Sequence, residues 1–187
     1  AASDVYKRQK RAIAKCAVQQ IHSGHTIFLD AGSTTSIFAE ELKTLSGLTI
    51  ITNSFQAVAN LTSNEKSVDN QIILLGGAVQ SRPQTQGDLV IHEIQRYHVD
   101  FCVLSPVGIS PFHGATSFYI EEANIAREMI KHSHQSIILA DQSKLNVVSR
   151  VQYAKPTDIS MLITTADPNS AAHEEDFRSN FETILFA

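Results

Sequence analysis

A series of short apolar runs, separated by stretches of helical periodicity, constrains this chain more than any other feature. Residues 26–29, 48–52, 72–75, 101–105, 136–140 and 161–164 are close to continuously apolar rather than alternating. Alternation marks a strand that is wet on one face, whereas a continuous run needs cover on both. Between the runs, apolar positions recur at helical spacing near residues 34–45, 54–63, 89–97 and 121–132. Ile13, Ala14, Ala17, Val18 and Ile21 define an earlier helix over 7–22, stopped by Ser23-Gly24. Strands and helices in this alternation predict an α/β fold, a mostly parallel Rossmann-like sheet with helices on both faces. Residues 168–178 have a helical tendency, 182–186 read as an edge strand, and 80–87 and 109–117 read as loops that fold over the sheet edge.

Size and composition narrow the possibilities further. A chain of 187 residues, 43% hydrophobic and 18% charged, suits one globular domain with a real core. No run approaches the roughly 20 apolar residues of a membrane span, and no signal-peptide core is apparent. A cytoplasmic location with no membrane partner is therefore expected. The net charge of −4 argues against nucleic-acid binding by this chain unaided. Its one dense basic cluster, Lys7-Arg8-Gln9-Lys10-Arg11, reads as a solvated helix face. Cys16 and Cys102 match no metal or redox spacing and read as small buried hydrophobes in a reducing compartment.

The turn after each strand carries more information than the strand itself. Asp30-Ala-Gly-Ser-Thr-Thr35 closes the first, Asn53-Ser54 the second and Gly76-Gly77 the third. Pro106-Val-Gly108 closes the fourth and Asp141-Gln-Ser-Lys144 the fifth. In a parallel sheet those ends share one edge, where open α/β folds bind ligands.

The first turn fits two readings. A helix N-terminus has unpartnered N–H groups and a positive dipole end, so Gly32, Ser33, Thr34 and Thr35 suit a phosphate. The same residues, with Asp30, also suit an ordinary N-cap. Gly76 and Gly77 form a turn or admit close backbone approach to a ligand, and Asn53 caps the next helix or binds. Lys144 can reach a phosphate or sugar hydroxyl as a compact cation, or form a Schiff base with an open-chain sugar aldehyde. Glu122 opens a helix beside Glu121, which suits the dipole, and can accept from sugar hydroxyls. The 8 histidines are scattered; His132 and His134 have the wrong spacing for a helical metal pair. There is no Walker A, Gly-x-Ser-x-Gly or dinucleotide fingerprint, so no cofactor is expected.

Taken together, the turns resemble the C-terminal effector-sensing domain of the DeoR family of bacterial regulators of sugar metabolism. The matching elements, in order, include Leu29-Asp-Ala-Gly-Ser-Thr-Thr35, Ile51-Thr-Asn-Ser54, Leu74-Leu-Gly-Gly77, Val107-Gly-Ile109, Gly114-Ala-Thr116, Glu122-Ala123 and Leu139-Ala-Asp-Gln-Ser-Lys-Leu145. They span residues 11–167. The resemblance implies a fold shared with ribose-5-phosphate isomerase and CoA-transferase-like domains. It implies a phosphorylated sugar or related metabolite as effector, a homodimer or homotetramer, and a cytoplasmic repressor. By motif, the phosphate site would be Asp30, Gly32, Ser33, Thr34 and Thr35. The rest of the pocket would be Asn53, Gly76, Gly77, Gly108, Glu122, Asp141 and Lys144.

Members of that family normally begin with a winged helix-turn-helix, for which there is no room before the first helix. DNA binding is accordingly expected only through that absent domain. Residues 1–9 fit the family's linker poorly and read as a tag, adapter or linker, with the sensor occupying 10–187. An aldose–ketose phosphate isomerase is the alternative from another class, because such enzymes share a Gly-Ser-Thr phosphate loop. The chain lacks the acidic Gly-Ala-Asp-Glu element and the Lys-Gly-Gly-Gly run of those isomerases, so a non-enzymatic sensor is the expectation. A pure oligomerisation module would leave the convergence of polar turns unexplained.

Overall fold

Every one of the apolar runs becomes a strand of a single parallel sheet. The computed structural model describes residues 2–63, 69–165 and 171–187. In chain order these are α1 (Ala2–Val18), β1 (Thr26–Leu29), α2 (Ser33–Leu42), β2 (Thr49–Thr52), α3 (Phe55–Thr62) and β3 (Gln71–Leu74). Next come α4 (Asp88–Ile94), β4 (Val99–Leu104), β5 (Gly108–Ser110), β6 (Gly114–Ser117), α5 (Ile120–Lys131) and β7 (Ser133–Leu139). The last elements are β8 (Val151–Ala154), β9 (Met161–Thr164), α6 (Ala171–Asn180) and β10 (Ile184–Phe186). The main sheet has the order β10-β9-β7-β4-β1-β2-β3, with its strand pairs parallel.

Successive strand residues point to opposite faces, and here both faces are apolar because both are covered. Ile27, Leu29, Ile50, Val103, Ile137, Leu139 and Ile163 join a core with Ile13, Ala14 and Ala17 of α1, Phe38 and Leu42 of α2, and Ala57 and Leu61 of α3. Their neighbours Phe28, Ile51, Cys102, Leu104, Ile138 and Leu162 face the other way, onto Val90 and Ile94 of α4, Ala123 and Met129 of α5, and Phe177 of α6. Each fully buried side chain such as Phe28 or Phe38 contributes about 1.5–3 kcal/mol.

Helix α1 starts earlier and ends earlier than the apolar spacing suggests. Residues 3–6 extend it with exposed side chains, while Gln19, Gln20 and Ile21 turn back on tighter i−3 bonds. The segment expected as a loop over 109–117 is instead the hairpin of β5 and β6, which joins the unforeseen β8 in a small antiparallel sheet. Such short strands of small residues carry no readable periodicity. Gly114 makes the hairpin possible: its φ is +66°, and a Cβ there would lie 2.0 Å from the Ala154 carbonyl oxygen. The expected helix over 168–178 coincides with α6 from Ala171 onward; 168–170 lie outside the described residues.

Candidate functional site

Strands β1 and β4 are hydrogen-bonded neighbours, yet the chain leaves them in opposite directions. The connection from β1 leads through α2 to β2, whereas the chain after β4 reaches β7 on the far side. Such a divergence opens a crevice at the carboxyl ends of the two strands. A cavity of about 40 Å³ lies there, lined by Asp30, Ala31, Asn53, Gln84, Ser105, Ser117, Glu122, Ile125, Ala126 and Tyr153. Of the residues singled out from sequence, it gathers Asp30, Asn53 and Glu122.

The turn into α2 is built around Asp30. The Thr35 hydroxyl donates to Asp30 Oδ1 at 2.7 Å and the Ser105 N–H donates to Oδ2 at 2.7 Å, tying β1 to β4. The Gly32 N–H in turn donates to Thr35 Oγ1 at 3.1 Å. Asp30 and Thr35 thus brace the loop. Burial, partly offset by these donors and reinforced by the charge of Glu122, raises the Asp30 carboxyl from 3.8 to about 7. A Cβ at Gly32 would fall 1.7 Å from Ser105 Oγ, so any side chain there would require the Ser105 hydroxyl to turn away. Ser33 is exposed at the first turn of α2, where the leading N–H groups have no intrahelical partner. Lys10 of α1 reaches the same point, its ammonium donating to Ser33 Oγ at 3.0 Å. The basic cluster therefore sends one member to the loop, which the reading of it as a solvated face overlooked. Thr34 is buried at this turn.

Opposite the loop, Glu122 sits at the start of α5. It pairs with Arg82, accepts from Ser117 Oγ at 3.2 Å and lies 3.4 Å from Gln84 Nε2. The Arg82 guanidinium stacks on Tyr119, 4.2 Å from its ring centroid. Beyond this group lies an outer pocket of about 160 Å³ between residues 80–86 and Tyr119, Glu121 and Glu122. Arg82, Gln84 and Glu122 thus stand between the inner cavity and the surface.

Two polar atoms of the inner cavity are left over. Asn53 is 2% exposed; its Nδ2 donates to the Thr85 carbonyl at 2.8 Å, but its Oδ1 has no partner among the described residues. Tyr153 is 5% exposed and its hydroxyl is likewise unpartnered among them. Burial first, then the charges of Asp30, Cys102 and Glu122, push that phenol well above its ordinary value, so it stays protonated. Buried polar groups are nearly always satisfied, so an unmet acceptor and an unmet hydroxyl in one cavity point to a hydroxylated occupant.

Gly76, Gly77, Gly108, Asp141 and Lys144 do not line the inner cavity. Gly76 is exposed with open space where a Cβ would be, whereas a Cβ on Gly77 would meet Val90 at 2.5 Å and one on Gly108 the Val147 carbonyl at 2.1 Å. Asp141 is buried and caps a 3-10 turn over Gln142–Lys144, accepting from the Ser143 N–H at 2.9 Å and from its hydroxyl. Lys144, half-buried, comes after β7, the neighbour of β4. Sequence reasoning missed Lys10, Arg82, Gln84, Ser105, Ser117 and Tyr153. Ser105 carried a signal as the last residue of an apolar run at the shared edge, and Arg82, Gln84 and Ser117 lie in the segments 80–87 and 109–117 expected to fold over that edge.

Comparison with known proteins places this geometry in context. The profile of the DeoR C terminal sensor domain matches residues 6–166. The HTH-type transcriptional repressor GlcR of Bacillus subtilis is 37% identical over 178 residues, covering 95% of this chain and 67% of GlcR. The HTH-type transcriptional regulator GolR of Listeria innocua is 33% identical over 89% of this chain and 65% of its own length. The glycerol-3-phosphate regulon repressor of Escherichia coli is 29% identical over 86% of this chain and 63% of its own. The chain thus spans about two thirds of these relatives. Among solved structures, a D-ribose-5-phosphate isomerase in complex with phospho-erythronic acid superposes with a TM-score of 0.54 at 20% identity, over 74% of this chain and 54% of the isomerase. The eIF2B beta subunit of Chaetomium thermophilum does so with a TM-score of 0.61 at 14% identity, over 85% and 49% of the two chains. These structural likenesses show the fold.

Proposed function

This chain belongs to the DeoR C-terminal sensor domain family, and on that premise we propose that it binds a phosphorylated sugar or a related small polyol phosphate in the crevice between β1 and β4. In this reading the phosphate docks on the first turn of α2, at Gly32, Ser33 and Thr34, with Lys10 alongside. Asp30 and Thr35 hold that turn in shape. The hydroxyl end of the effector enters the inner cavity, where Asn53 and Tyr153 receive it and Glu122 lies beside it. Asp141 and Lys144, on the β7 side of the edge, complete the outer wall, with Gly76, Gly77 and Gly108 shaping the neighbouring turns.

The observation that carries the reading is the pair of buried, unpartnered groups, Asn53 Oδ1 and the Tyr153 hydroxyl, in the cavity beside Asp30. The name of one relative, a glycerol-3-phosphate regulon repressor, fits the same chemical class. Catalysis is not required. Asp30 braces the loop through Thr35 and Ser105, and Glu122 is engaged by Arg82, Ser117 and Gln84, roles that serve binding without any proton transfer. Regulation of DNA binding then resides in the longer protein and its oligomer, a homodimer or homotetramer. The effector shifts it only by binding two arrangements with different affinity, worth about 1–3 kcal/mol in typical coupled systems.

The test is a thermal-shift screen of the chain against phosphorylated and unphosphorylated sugars and glycerol 3-phosphate. At about a hundredfold excess over Kd the right effector adds about 2.7 kcal/mol, raising the melting temperature by several degrees. Thr34→Ala, and Lys10→Gln, should weaken the response to phosphorylated compounds specifically. No stabilisation by any phosphorylated compound would sink the reading.

A further inference from the structure

A second cavity lies at the same sheet edge but on its other half, and its chemistry differs from that of the crevice. It has a volume of about 130 Å³ and is enclosed by the carboxyl end of β9, by β10, by α6 and by the segment after β7. Leu145, Leu162, Phe177, Ile184 and Phe186 give it an apolar lining, and Gln142, Asn146, Thr164, Thr165 and Glu174 a polar one. Thr164 is 2% exposed, and its hydroxyl has no partner among the described residues. The neighbouring Thr165 hydroxyl, by contrast, lies 3.4 Å from Gln9 Oε1 of α1.

We propose that this cavity, lined by Thr164, Phe177 and Phe186, is a second binding site that takes a small uncharged amphiphile: a ring-sized apolar body carrying one hydroxyl. The size is set by the volume, which is close to the roughly 150 Å³ that accommodates benzene in a protein interior. The hydroxyl is called for by Thr164, whose buried Oγ1 can both donate and accept and has neither bond met among the described residues. The absence of charge is dictated by the lining. Among the described residues its one carboxylate, Glu174, is bound by Arg178 at 2.6 Å, and that guanidinium stacks over Phe186, so these residues offer no unpaired charge to a phosphate or an ammonium group. The site therefore does not duplicate the crevice at α2, and it stands whether or not a sugar phosphate binds there.

Phenol and toluene are suitable probes, titrated into the chain and monitored by NMR. Phenol should give saturable shifts at Thr164, Leu162, Phe177 and Ile184 and bind about tenfold more tightly than toluene, because toluene leaves the Thr164 hydroxyl unmet. Thr164→Val should remove that preference, with toluene binding unchanged and the melting temperature unchanged or raised. Leu145→Trp, which adds an indole to the lining, should occupy much of the space and weaken binding of both probes while the other resonances remain those of the folded chain. Saturating inorganic phosphate should leave phenol binding unaltered. Phenol shifts that do not saturate, that map elsewhere, or that persist unchanged in the Thr164→Val chain would overturn the assignment.

Discussion

At the scale of single residues, the candidate site is governed by groups that are buried before any ligand arrives. Asp30 retains its proton up to about pH 7 in the folded chain and releases it near 3.8 when unfolded. The folded state therefore binds more protons between those values, so the stabilisation is complete below about pH 4 and is lost as the pH rises through 7. Asp30→Asn removes this dependence: the melting temperature of the native chain relative to the variant should fall between about pH 4 and pH 7. A difference independent of pH would contradict the assignment. Tyr153→Phe behaves differently, because the hydroxyl it removes has no partner among the described residues of the free protein. Its melting temperature should be unchanged or slightly higher, while affinity for the effector, measured by calorimetry, falls about tenfold. Equal losses in stability and affinity would mean that the tyrosine is merely structural.

At the scale of elements, the turn into α2 is where local sequence and long-range packing meet. Gly32→Ala would force the Ser105 hydroxyl to rotate away from Asp30 Oδ1, costing about 1 kcal/mol and lowering the melting temperature by about 2–4 °C. Gly76→Ala meets open space and should be close to neutral in the same measurement. The Arg82–Glu122 pair, with Arg82 48% exposed, is worth no more than about 1 kcal/mol. Arg82→Ala should leave the melting temperature nearly unchanged yet speed association of the effector, read by stopped-flow.

These elements also show how far the sequence can be read. Strands β1, β2, β3, β4, β7 and β9 are visible in it because covering both faces demands continuous apolar runs such as 26–29 and 161–164. The hairpin is not, because Gly108, Gly114 and their mostly small neighbours have neither period nor bulk, and β8, although it holds Val151 and Tyr153, is only four residues long. In the site, Asp30, Asn53 and Glu122 are legible as polar residues next to strand or helix ends. Tyr153 is not, since it lies on an unforeseen strand, while Arg82 is legible only as part of the loop 80–87 expected over the edge, and the fold alone selects its side chain.

At the scale of the whole molecule, the switch in chain direction between β1 and β4 divides the site as well as the sheet. Asp30, Asn53 and Gln84 come from the chain before β4, and Ser105, Ser117, Glu122 and Tyr153 from β4 onward. Within the crevice the direct bridges between the two groups are few: the bonds of Asp30 to Ser105, and those of Gln84 and Arg82 to Glu122. An occupant touching both sides acts as a rivet through a seam between two sequence halves. Amide exchange should therefore slow upon binding in both halves at once, at β2 as well as at β8, although neither strand is bonded to the other. A sensor stitched in this way converts the arrival of a small molecule into a change in how firmly one half of its chain holds the other.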